Sequence, residues 1–441
     1  MNSSKNLTTK KIIVVSIIIL IVSTTLLITA SKEESKRLLN KEVSEQKNKN
    51  TVAVYIQDES SSDGYVKTDA VPTEGYTFNE EMSYCTIDGN RDDSISISYN
   101  ADTQSLSVSP MTRAGTKCYL YFDELVSIRD TLLAYYPTQL TRTDFSTTLT
   151  NTTTGTIYKS ADESQYDEDG EVYYFAGNPT DNWVYFAGYY WRIIRINGDG
   201  SLRLIYQGIS TSSTGQETHI IVDNNVLFMF NSSVGNNAYV GYMYTSGSVH
   251  GTGTSSTIKG VLDNWYLTNI QNAGYSSYID TNAGFCGDRS PSTSSSSSNG
   301  NGGTGTTETY YGGYIRLYNN GIPTFRCAND SDLFTTDSSS KGNKALTYSI
   351  GLITMDEAWY AGGHNATNSR YYLYTQSNYW TMSPFWSGDG AGVFYITRNG
   401  SFEGGYVDGV LGVRPVINLR SDVTISSGNG TASQPFVINT D

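Results

Sequence analysis

Along most of this chain polarity alternates in short runs, separated by clusters of Gly, Ser, Asn and Thr. Thr51 to Ile56 (TVAVYI) predicts a strand, and Ile95, Ile97 and Tyr99 alternate strictly with serines before Asn100 to Gln104 supplies a turn. Leu106 and Val108 resume the alternation, and Cys118 opens a further apolar run, CYLYF, so residues 51–122 predict a small β-sandwich. Farther on, Val184 to Ile196 (VYFAGYYWRIIRI), the turn Asn197-Gly198-Asp199-Gly200 and Ser201 to Tyr206 (SLRLIY) read as strand, tight turn, strand. Tyr379 to Pro384, Val393 to Thr397, the turn at Asn399-Gly400 and Gly412 to Leu419 repeat the theme. Helical spacing occurs in two places. Ile258, Val261, Leu262, Trp265, Tyr266 and Ile270 share one face of a helix over 256–272, capped by Ser256 or Thr257. Thr354 and Glu357 have the spacing of a capping box for a short helix ending near Ala361. Residues 123–156 begin with helix-compatible spacing and dissolve into a Thr-rich stretch, which predicts a connector.

The N-terminus has a different character. Ile12 to Ala30 is apolar and uncharged, and at 1.5 Å per helical residue it nearly matches the roughly 30 Å hydrocarbon core of a bilayer. Lys5, Lys10 and Lys11 precede it, so residues 1–11 are expected to stay in the cytoplasm as a tail while the remainder lies outside. The alternative is a cleaved secretory signal ending at Ala30. Residues 31–50 are charged and predict a solvated stalk. Both readings export the bulk of the chain, either as a single-pass cell-membrane protein with a C-terminal ectodomain or as a secreted one.

Charge narrows the partners. The chain carries 29 Lys plus Arg against 43 Asp plus Glu, and the first fifty residues hold nine of the former and four of the latter. The exported part is therefore distinctly acidic, which argues against nucleic acid as a partner, because a polyanion needs a basic footprint. Three histidines, His219, His250 and His364, leave little material for a metal centre, and no metal or cofactor is expected. Asp199 is the one acidic side chain in its loop, too few for calcium, so it reads as turn chemistry. None of Cys85, Cys118, Cys286 and Cys327 has the two-residue spacing of zinc or redox motifs. Export makes disulfides the default, and of the three possible pairings the local ones, 85 with 118 and 286 with 327, are the simplest. Gly287 to Thr307 is a Ser/Gly tract that predicts an exposed, mobile loop within the second pair. Asp356 and Glu357 fit the favourable charge of a helix first turn, and Arg414, before Pro415, reads as a structural ion pair or carbonyl ligand.

The blocks NWVYFAGYYWRIIRINGDGSLRLIY, DNWY, FCGDR, GLITMDEAWYAGG, YWTMSP and GVRPVINL resemble an uncharacterised family of bacterial surface-protein domains over residues 157–441. The tail, with Trp380, the turn Asn399-Gly400-Ser401 and Gly412-Val413-Arg414, is similar to the formylglycine-generating-enzyme branch of the C-type-lectin-like fold. That resemblance implies an α+β domain in which two helices flank a twisted, mostly antiparallel sheet with long loops. The enzymes of that branch use a closely spaced cysteine pair in copper-dependent oxidation, whereas Cys286 and Cys327 stand far apart. The calcium-binding triplets of C-type lectins do not occur. The expected function is thus non-catalytic binding or adhesion at the cell surface, with a glycan or protein ligand held on loops Thr211–Gln216, Asn236–Tyr244 and Trp380–Trp386. Tyr244, Trp380 and Trp386 are the expected contacts, since Tyr and Trp give contact area at low rotamer cost. A structural envelope protein without a small ligand is the alternative, and an exported enzyme of the formylglycine-generating type is third.

Overall fold

In the computed structural model, which describes residues 32, 34, 49–58, 60–72, 75–100, 105–110, 114–124, 126–293, 302–336 and 341–440, the chain divides into two units, Met1–Leu125 and Val126–Asp441. The expected membrane anchor or signal, 12–30, lies outside the described residues. Among the described residues no helix is long and apolar enough to cross a membrane.

The first unit is all β. Its five-stranded sheet runs in the order Tyr65–Thr68, Thr51–Gln57, Lys117–Glu124, Tyr76–Ile87, Asn90–Arg91, with Thr51–Gln57 parallel to Lys117–Glu124 and the other pairs antiparallel. Alternation along each strand sends Val54, Leu120 and Phe122 into a core closed by the hairpin Ser96–Asn100 and Ser105–Ser109, which adds Ile97, Leu106 and Val108. Cys85 and Cys118 are cross-strand partners and form a disulfide. In the chain-entropy model such a bridge stabilises by about 4 kcal/mol.

In the second unit the strand Tyr189–Ile196 is central. One of its edges pairs with Trp183–Phe186 and then Tyr173–Tyr174, and the other pairs with Leu202–Gly208. The sheet extends outward through Val416–Leu419 on one side and through Phe436–Ile438, Thr156–Lys159 and Thr138–Thr141 on the other. The expected single strand Val184 to Ile196 is in fact a hairpin. Ala187 and Gly188 both have positive φ, 53° and 82°, as a two-residue turn between twisted strands requires. A separate three-stranded sheet, Tyr379–Pro384, Gly392–Ile396 and Phe402–Tyr406, turns at Gly400.

The expected α+β, C-type-lectin-like domain is corrected by this architecture. The protein is mostly β, with 35% strand against 15% helix. The large sheet is mostly antiparallel, with two parallel pairs, Thr138–Thr141 with Thr156–Lys159 and Trp183–Phe186 with Phe436–Ile438. The two helical stretches do form: Thr257–Tyr266, capped by Ser256, and Met355–Tyr360, with Thr354 and Glu357 in a reciprocal capping box. Residues expected to be a connector instead build the helix Ile128–Tyr135 and the edge strand Thr138–Thr141. Cys286 and Cys327 are joined. The Ser/Gly tract between them is tied in at its described ends, where Gly305 O accepts from Asn237 N (2.7 Å) and Gly303 N donates to Thr309 Oγ1 (2.7 Å). Residues 294–301 lie outside the described residues.

Candidate functional site

Two concavities in the second unit bring polar side chains together, and they differ in kind. The first is a small concavity of about 20 Å³, room for roughly one water, lined by Glu168, Arg195, Arg203, Arg316, Asp356 and Glu357 among others. Its charges are matched. Glu357 Oε1 lies 2.5 Å from Arg203 Nε and 3.2 Å from Arg195 Nε, and Arg195 Nη1 lies 3.2 Å from Asp167 Oδ2. Arg316 spans Asp288 and Asp356 at 2.7 Å each. Glu168, whose carboxyl burial pushes up, accepts from Cys327 N at 2.6 Å. These buried ion pairs hold the helix Met355–Tyr360, the central sheet and the disulfide loop in register, with Asp288 Oδ1 left without a hydrogen-bond partner. Asp356 and Glu357 therefore do more than favour the helix dipole. They anchor the core.

The second concavity is an open cleft of about 470 Å³, within the range of small-molecule sites. It forms where the strand Leu202–Gly208 ends. Gly208 has φ of +120°, and a Cβ there would lie 2.6 Å from Ser213 Oγ and 2.7 Å from Glu217 O, so only glycine lets the following loop fold back this closely. The loop is pinned where Gly215 N donates to Thr375 O and Gln376 Nε2 to Thr214 Oγ1. One wall is aromatic: Tyr189, Tyr206 and Trp265 pack with ring centroids 5.4 to 5.7 Å apart. Asn269 fixes the Tyr189 hydroxyl at 2.6 Å and donates to Trp265 O. The opposite wall is polar, from Ser210, Ser212, Ser213, Gln216 and Glu217. Ile209 and Ile221, 73% and 64% exposed, form an apolar lip.

His219 lines this cleft and is 2% exposed, yet both of its enclosed ring nitrogens lack a hydrogen-bond partner. Such a group ordinarily destabilises by about 1–3 kcal/mol. The ring lies over Gly412, where a Cβ would come within 2.0–2.2 Å of three of its atoms, so the missing side chain at 412 makes its berth. Burial, reinforced by the Arg414 charge, pushes the imidazole down to about 4. At neutral pH it is uncharged and offers one N–H donor and one lone pair. Arg414 itself is a structural residue, as expected: it donates to Tyr206 O, Leu373 O and Gln207 Oε1.

The three expected contact residues separate. Trp380 is 1% exposed and its indole N–H donates to Phe228 O at 2.8 Å, so it belongs to the core, which corrects the expectation of a surface contact. Tyr244 and Trp386 do share a neighbourhood. Tyr244 packs on Tyr239, and Asn237, two residues before Tyr239, accepts from Ser387 next to Trp386. Trp386 is 37% exposed, stacks on Tyr310 and donates to Glu308. Of the expected loops, Thr211–Gln216 lines the cleft. His219 and Tyr189 escape a reading by pattern, since a lone histidine has no periodicity, while Trp265 serves the helix's core face and the cleft at once. No family model, no curated protein and no solved structure matches this chain, so the cleft is interpreted from its own geometry.

Proposed function

We propose that this is an exported, non-catalytic binding protein that takes a small saccharide in the cleft at His219. The observation that carries the reading is that His219, buried with both imidazole nitrogens unpartnered, borders a cleft walled by aromatic rings on one side and hydroxyl and amide groups on the other. A sugar matches that surface. Adjacent hydroxyls both donate and accept, as a neutral imidazole requires, and the C–H faces of a pyranose pack on Trp265 and Tyr206. Catalysis is disfavoured by the same chemistry, because a histidine held near 4 is a weak base at neutral pH and none of its ring nitrogens is oriented by a carboxylate. Both cysteine pairs being closed supports an oxidising compartment and removes the thiols an oxidase of the formylglycine-generating type would use.

The test is a titration of the full chain with a panel of neutral mono- and oligosaccharides, read by tryptophan fluorescence and calorimetry. At least one sugar is expected to bind saturably, and His219→Phe, which keeps a ring but removes both nitrogens, to weaken it about tenfold or more. A silent panel, or equal affinity in the variant, overturns the proposal.

A further inference from the structure

The first unit carries a second surface that the cleft does not involve. Strand alternation that sends Val54, Leu120 and Phe122 inward sends Tyr55, Tyr119 and Tyr121 to the opposite face, where Tyr84 joins them. Register aligns them, with Tyr55 opposite Tyr121 and Tyr84 opposite Tyr119. In both pairs the ring centroids are 5.0 Å apart and the planes nearly parallel, at 16° and 22°. The diagonal pairs Tyr55/Tyr119 and Tyr84/Tyr121 stand at 6.4 and 6.5 Å. Rings lying side by side in one plane cannot bring their centres that close without overlapping edges. They therefore stand on edge in a file across three strands, faces against each other, with ring edges and phenol groups turned outward. Tyr65 sets its ring edgewise on Tyr121. None of these five rings packs in or against the unit's hydrophobic core.

Charge is sorted on the same face. Between residues 51 and 125 the sequence has thirteen Asp or Glu and four Lys or Arg. Three of those four cations stand at register positions beside the file. Lys67 is opposite Tyr55, while Lys117 and Arg91 are both opposite Thr86, two residues along from Tyr84. The Arg91 guanidinium lies 5.4 Å from the Tyr84 ring centre and also pairs with Asp93 at 2.7 Å. Asp123, two residues along from Tyr121 on the same strand, is occupied by the Tyr65 hydroxyl and the Asn79 amide. The outer edges of these half-buried rings carry the positive part of the ring quadrupole, and phenols donate hydrogen bonds. Cations at both ends, positive edges and donors between them make a strip complementary to repeated anionic acceptors, set in a unit whose other surfaces repel them.

We propose that this tyrosine file docks a carboxylate-bearing polysaccharide, with sugar C–H groups against the ring edges and carboxylates on Lys67, Lys117 and Arg91. A flexible phosphate polymer meets the cations but leaves the apolar edges uncovered, and a neutral glycan does the reverse.

Affinity electrophoresis of the full chain in gels containing polygalacturonate, dextran or polyphosphate tests this. Retardation by polygalacturonate alone is expected. Lys67→Glu with Lys117→Glu, exposed changes that keep the sheet, should weaken it about tenfold or more, and Tyr121→Ala with Tyr84→Ala likewise. An unchanged unfolding midpoint in the lysine variant shows that the sheet is intact. His219→Phe should leave polymer binding as it is, which separates this surface from the cleft. No retardation by polygalacturonate, equal retardation by either other polymer, or an unaffected lysine variant overturns the proposal.

Discussion

Acidification puts the His219 environment to a direct test. The imidazole is 2% exposed, and burial together with Arg414 lowers it from 6.5 to about 4 in the folded chain. Between those values the unfolded chain binds a proton that the folded one refuses, so stability falls as pH drops from about 6.5 towards 4 and levels off below. Each pH unit that separates the folded from the unfolded titration is worth about 1.36 kcal/mol, which gives about 3 kcal/mol lost across that window. Other groups titrate nearby: burial raises the carboxyls of Glu168, Asp181, Asp263 and Asp280, which acts with the opposite sign. The difference between the wild-type protein and His219→Gln cancels them. Urea unfolding read by tryptophan fluorescence reports the second unit alone, since all six tryptophans lie beyond residue 125. The wild type should lose about 3 kcal/mol more than the variant between pH 7 and pH 4. Parallel curves, or an NMR titration placing His219 near 6.5, would refute the reasoning.

Three further outcomes follow from particular contacts. Gly412→Ala forces the His219 ring from its berth and should destabilise the second unit by about 1–3 kcal/mol, seen as a lower urea midpoint, while moving the histidine's titration upward in NMR. Glu357→Gln leaves Arg203 buried against a neutral partner, while Arg195 keeps Asp167, and should cost about 3–5 kcal/mol by the same unfolding assay. Trp380→Ala opens a cavity worth about 3–5 kcal/mol, whereas Trp386→Ala, half in solvent, should shift stability by less than about 1 kcal/mol.

The parts of the fold legible in the sequence are those where one local signal decides. Thr257–Tyr266 has three turns of one-sided apolar spacing and a serine cap, and Met355–Tyr360 has its capping box. Positions with a left-handed backbone were legible when a full Asn-Gly turn marked them, as at Gly400, and not when Ala187 took the role inside an unbroken apolar run. Two-residue strands such as Phe285–Cys286 and Leu333–Phe334 are too short to show a period. The buried ion network was illegible for a different reason: Glu357 meets Arg195 and Arg203 across more than 150 residues of chain, and only the packed sheet brings them together. The cleft is intermediate. Its loop, Thr211–Gln216, stands out as polar and turn-rich, but the berth over Gly412 depends on a glycine nearly two hundred residues from the histidine it admits.

The bridge from Cys286 to Cys327 has a practical corollary. A peptidase that nicks the serine-rich stretch between them yields two pieces that still migrate as one chain until a reductant is added. Lengthening or shortening that stretch likewise leaves the ring closed at the same two sulfurs, and doubling such a loop changes its closure entropy by only about 0.6 kcal/mol. Homologous chains are thus free to differ in size at this place while keeping one architecture, and an epitope tag inserted there should be carried without harm.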